Sequence, residues 1–144
     1  MILTLAQFKR YQSIFYRKIL GTPFEVSLEV VRINSAPTEE FSIDSFVGDS
    51  PRASKTYPFR ALYEREIPTR TRDKFGLSKE VNGVIYISPL QLAPVLGDFK
   101  LDWNKTKVHF ADRVQVIEKI DYLEPLYDSC IGLQIFIKDD LKGG

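Results

Sequence analysis

The sequence predicts a mainly β protein, a small barrel or curled sheet preceded by one helix and interrupted by long connecting arms. Three observations predict it. Residues 4–20 carry a helical period, several later segments alternate apolar and polar side chains with a period of two, and the one well-defined helix precedes the strands instead of alternating with them. The last point separates the chain from α/β nucleotide folds, in which helices and strands take turns.

The helix is written TLAQFKRYQSIFYRKILG. Thr4 is a capping residue with Gln7 three positions on, and Leu5, Phe8, Tyr11, Phe15 and Ile19 recur at steps of three or four as one apolar stripe. Gly21 can take the left-handed position that ends the helix, and Pro23 discourages its continuation. Lys9, Arg10, Arg17 and Lys18 form its solvated side.

FEVSLEVVRI, residues 24–33, then alternates as a half-exposed strand, with Phe24, Val26, Leu28 and Val30 on one face. The interval 34–54 has two prolines and the apolar group Phe41, Ile43, Phe46 and Val47, and its length is uncommon for a connection inside a compact domain. It reads as a functional arm, an interface segment or a region ordered only in an assembly. TYPFRALYERE resumes strand chemistry at 56–66, with Pro58 favouring a strand start or an edge. The charged stretch 67–83 reads as a long solvent-facing hairpin or mobile connection, and 84–88 (VIYIS) as a strand. In PLQLAPVLG, Pro89 and Pro94 limit any helix to about two turns. Val108 and Phe110, then Val114 and Val116, then Ile131, Leu133, Ile135 and Ile137 supply the remaining strands. One domain is expected over 1–144, its β-rich body running from 24 to 140.

Composition narrows the function classes. With 44% hydrophobic residues the chain can build a core, and no run approaches the roughly 18 apolar residues of a membrane-crossing helix, so no membrane partner is expected. Polar and basic residues interrupt Met1 to Leu20, which argues against a signal peptide and for manufacture in the cytoplasm. The net charge is +1, yet residues 52–79 hold eight Lys or Arg against three acids, a local excess from which Arg60, Arg65, Arg70, Arg72 and Lys74 are candidate DNA contacts. Trp103, Tyr57, Tyr63 and Tyr86 could stack bases or simply pack.

The familiar catalytic signatures are missing. GxxxxGK, GxGxxG and HExxH do not occur, and the single Cys and single His give no disulfide and no metal framework, so no cofactor, metal or catalytic residue is expected. His109 points away from the face shared by Val108 and Phe110 if that segment is extended, and a small hydrolytic enzyme would require it to meet an acid such as Asp112. Cys130 lies before the last strand with no basic cluster around it, which favours packing over thiolate chemistry; were the strand already running there, it would share a face with Gly132 and Gln134. Asp112, Glu118, Asp121, Glu124 and Asp128 could approach across turns, but no spacing fixes a catalytic pair.

Across residues 56–140 the order YPFRALY, a charged excursion, VIYISPLQL, DRVQVIEKIDYLEP and LQIFIKD resembles the head-tail connector proteins of tailed bacteriophages, particularly the small neck or stopper proteins beneath the portal. Asp112, Val114 and Val116 match the late "D-V" step of that family. The resemblance implies a non-enzymatic homo-oligomeric ring in the virion at the head-tail junction, with portal or adaptor and tail proteins as partners and a part in retaining packaged DNA. A related tail-terminator or baseplate protein, sharing the same general β architecture, is the alternative. Phe41, Ile43, Phe46, Arg70, Arg72, Lys74 and Phe75 become the expected subunit or partner contacts, and the basic segment could meet DNA phosphates or the acidic 118–128 segment of a neighbour.

Overall fold

A computed structural model describes residues 3–33, 52–97 and 101–140. In chain order its elements are α1 (Leu5–Leu20), β1 (Phe24–Ile33), β2 (Arg52–Glu64), α2 (Thr69–Phe75), β3 (Val81–Ile87), α3 (Pro89–Leu96), a short 3-10 turn (Trp103–Lys105), β4 (Lys107–Phe110), β5 (Arg113–Leu123) and β6 (Gly132–Asp139). The six strands close into a barrel in the order β1-β2-β3-β6-β5-β4, every neighbour antiparallel, and pairing of Ser27 with His109 joins the two ends. The fold is mainly β, a closed barrel carrying an N-terminal helix.

Alternation fills the barrel. Val26, Leu28 and Val30 of β1, Phe59 and Ala61 of β2, Ile85 and Ile87 of β3, Val108 of β4, and Leu133, Ile135 and Ile137 of β6 form one buried cluster. At the end where β1 and β3 finish, Leu92 and Leu96 of α3 enter this cluster with Trp103, whose Nε1 donates to the Tyr122 hydroxyl at 2.9 Å. At the other end Phe24, Tyr63 and Phe110 pack ring against ring, with Tyr63 and Phe110 centroids 4.6 Å apart. Gly83 belongs to this packing, since a Cβ there would lie 2.8 Å from the Tyr63 ring. Both ends of the barrel are thereby filled with side chains.

Two helices lie against the barrel, α1 over β2, β3 and β6 and α2 over β3 and β6. α1 starts on the expected capping box between Thr4 and Gln7, but the face it buries is Phe8, Gln12, Phe15 and Ile19. The expected stripe is therefore corrected: Leu5 and Tyr11 are exposed, and Gln12 takes a core-facing position because its amide donates to the Cys130 carbonyl (2.8 Å) and the Ser129 hydroxyl (3.0 Å). Phe15 lies over Gly132, where any Cβ would overlap its ring. Gly21 closes the helix at φ −83°, not in the left-handed conformation expected of it.

The stretch 67–83 is the largest departure from the sequence reading. Instead of a solvent-facing hairpin it holds α2, which packs on the barrel: Phe75 lies 5.1 Å from the Phe136 ring, and Ile67, Leu77 and Tyr86 join Val81, Val84 and Phe136 in a second apolar cluster. Gly76, at φ 61°, ends the helix in the left-handed conformation, and Arg72 donates to the carbonyls of Ser78 and Val81. The following strand starts at Val81, earlier than the 84–88 reading.

Candidate interaction surfaces

β1 and β2 pair continuously from Phe24↔Ala61 to Ile33↔Arg52, yet their outer neighbours stop much earlier. β4 pairs with β1 only over Ser27–Glu29, and β3 pairs with β2 only over Leu62–Glu64. Beyond those points the two strands continue as a two-stranded ribbon past the body of the barrel, on the end that also carries α3. Residues 34–51, with Phe41, Ile43 and Phe46, join the ribbon's strands and lie outside the described residues.

Among the described residues, the ribbon has two edges without a strand partner. Successive residues of an antiparallel strand direct their N–H and C=O groups to opposite sides. On β2 the Gln91 side chain fixes which side is which: its Oε1 accepts from Arg60 N–H at 2.9 Å and its Nε2 donates to the Arg60 carbonyl at 3.0 Å. One amide of α3 thus occupies the place of a strand residue. Pro58 and Thr56 face the same side, where no described residue pairs with them. Pro58 lies mid-strand, not at the strand start, and is tolerated because its missing donor falls on this edge. On β1 the odd residues face β4, so Val31 and Ile33 continue that edge past its last pair, Glu29↔Lys107.

The residues of the expected basic patch differ in exposure. Arg70 and Lys74 stand four positions apart on the exposed side of α2, and Arg60 and Arg65 are exposed on β2 and the bend after it. Arg72 makes its two backbone bonds, and Phe75 is half-buried against Phe136, so both of these residues have contacts within the chain. Lys119 approaches the Phe75 ring and donates to its carbonyl at 3.2 Å.

The acidic segment meets the 67–83 stretch within one chain. Glu118 accepts from the Ser78 amide (2.7 Å) and hydroxyl (2.6 Å) and lies 3.3 Å from Lys138. Its partial desolvation pushes the carboxyl pKa up, but the two Ser78 bonds and the lysine outweigh this and hold it below the ordinary carboxylate range. Asp139 is likewise lowered overall: desolvation raises it, while hydrogen bonds from Asn82, Arg113 and Gln115 prevail.

His109 points outward, as alternation requires, but its carboxylate partner is Glu29 on β1 at 2.7 Å, not Asp112. Asp112 sits exposed in the β4–β5 turn, and the "D-V" step runs from that turn into an exposed Val114 and a half-buried Val116. Cys130 is fully buried in the main cluster ahead of β6, so it faces the interior with Leu133 and Ile135 and shares no strand face with Gln134. Among the described residues, no three His, Cys, Asp or Glu side chains gather in a group able to hold a metal ion. Trp103 and Tyr63 serve the core, and Tyr86 receives a bond from Gln134 while donating to Glu64. Burial of the Tyr86 phenol, opposed by Gln134, and the nearby Glu64 charge raise its pKa.

Sequence reasoning did not single out Gln91 or Gln12. A glutamine is an ordinary surface residue in composition, and only the placement of α3 against β2, and of α1 against the 129–130 turn, turns these amides into backbone partners. Searches against protein-family models and against curated proteins find no match to the chain.

Proposed function

We propose that the chain is a non-enzymatic subunit of a head-tail connector ring of a tailed bacteriophage, placed in the virion between portal and tail proteins. The observation that carries this reading is the β1–β2 ribbon leaving a closed, side-chain-filled barrel. A body whose interior is packed and whose longest hairpin projects past it is suited to contact with neighbours, and repeating one asymmetric contact generates a ring. The resemblance over 56–140 supports the placement in the neck. Mass measurement and electron microscopy of the chain with portal and tail proteins test it: closed rings, or addition to a portal ring, are expected. Persistent monomers that bind neither component overturn it.

A second reading, sequence-independent contact with DNA, is favoured by the shared exposed side of Arg70 and Lys74. It predicts weak binding whose affinity falls steeply with salt. Replacing both residues by Glu should abolish that binding while leaving the urea midpoint unchanged. Salt-insensitive binding, or binding untouched by the double change, rejects this reading.

A further inference from the structure

We propose that the ribbon edges are complementary halves of a subunit interface: the β2 edge from Arg52 to Thr56 accepts, as an added strand, the β1 edge at Val31–Ile33 of a second copy of this chain. The inference deepens the ring reading and rests on it for closure, because it names which backbone groups join one subunit to the next.

Three features support it. A strand edge presents a row of unpaired N–H and C=O groups and is a template for another strand unless it is covered. Here the barrel-proximal end of the β2 edge is covered or blunted, by the Gln91 amide at Arg60 and by the absent donor of Pro58, whereas Thr56 and the residues toward Arg52 have no described partner on that side. The available length is therefore bounded, and it begins where the ribbon leaves the barrel body.

The occupant follows from the other side of the same ribbon. Val31 and Ile33 of β1 face an edge that β4 stops covering at Glu29↔Lys107. Among the described residues, one ribbon thus carries two edges without a strand partner, facing opposite ways. Pairing β2 with a second β2 would satisfy one edge and stop at two copies, leaving both β1 edges open. Pairing β1 of one copy with β2 of the next leaves one free edge of each kind at the ends, so the same contact repeats until the array closes.

Two backbone substitutions test this without altering charge. Thr56→Pro removes an N–H from the outer β2 edge, and Ile33→Pro removes one from the outer β1 edge; neither donor takes part in β1–β2 pairing. Sedimentation of the full chain should show each variant monomeric at concentrations where the native chain associates. An equimolar mixture of the two should give a one-to-one complex and nothing larger, because each variant retains the edge that the other lacks. A variant that still assembles alone like the native chain overturns the proposal, and so does a mixture of two folded variants that remains monomeric.

If either proline prevents folding, hydrogen exchange on the native chain decides the matter. The Thr56 amide should slow by about tenfold or more on association. Unchanged exchange in an assembled ring overturns the edge contact and leaves the ring reading standing. A native chain that stays monomeric with portal and tail proteins present overturns both.

Discussion

Ala111 and Asp112 make the two-residue connection between β4 and β5 with φ of 54° and 64°, where Phe110 pairs directly with Arg113. Positive φ at both central positions is the geometry for which Asn-Gly is best suited, and an alanine there costs about 1 kcal/mol. Replacing the pair by Asn-Gly should raise the urea midpoint by an amount equivalent to about 1 kcal/mol with the slope unchanged. Gln12 makes the opposite case. Gln12→Leu adds apolar volume but removes two hydrogen bonds, those the amide donates to the Cys130 carbonyl and the Ser129 hydroxyl, so it should destabilise by about 1–3 kcal/mol in the same measurement. His109 and Cys130 show how far single residues could be read from the sequence. Alternation sufficed to turn His109 outward and composition sufficed to bury Cys130, but Glu29 lies 80 positions from His109, and only strand pairing brings it near.

At the scale of elements, the 67–83 segment is where sequence periodicity misled. Its charges are real, but seven residues are too few for a helical stripe to show, and its apolar anchors Ile67, Phe75 and Leu77 meet a patch made by Val81, Val84 and Phe136 from two strands. Phe75→Ala should cost about 1–3 kcal/mol, less than a fully buried phenylalanine, because the ring is only half-buried. Glu118 ties the same segment to β5 with a pH dependence of defined sign. Its folded pKa lies below the unfolded value, so its stabilising contribution is present above the ordinary carboxylate range and is lost as pH falls through the folded value. Urea midpoints measured from neutral pH downward should therefore fall less in Glu118→Gln than in the native chain. By contrast α1, β1 and α3 were legible, since each carries its period, cap or proline within its own residues.

For the whole molecule, a mainly β barrel or curled sheet was legible from alternation in β1, β4 and β6, while the choice between the two and the pairings that close the barrel were not. The pairings β1–β4 and β3–β6 that complete the circle join segments far apart in sequence, and no local pattern encodes them. Leu133, Ile135 and Ile137 announced a buried face without announcing what would lie across from it. Closure also determines how the molecule carries load. β1 and β2 pair without interruption from the barrel floor through the ribbon to Ile33 and Arg52, so the described residues contain no hinge where one leaves the other. Tension applied at residues 33 and 52 along the strand axis would load the short ladders Ser27–Glu29 with β4 and Leu62–Glu64 with β3 in shear, their bonds sharing the force together instead of parting one by one. In single-molecule pulling between those two positions and the end of β6, the chain should give way in one high-force step, and a gradual lengthening at low force would contradict this. A subunit built so would behave as a rivet: tension on the ribbon arrives undiminished in the wall of the barrel.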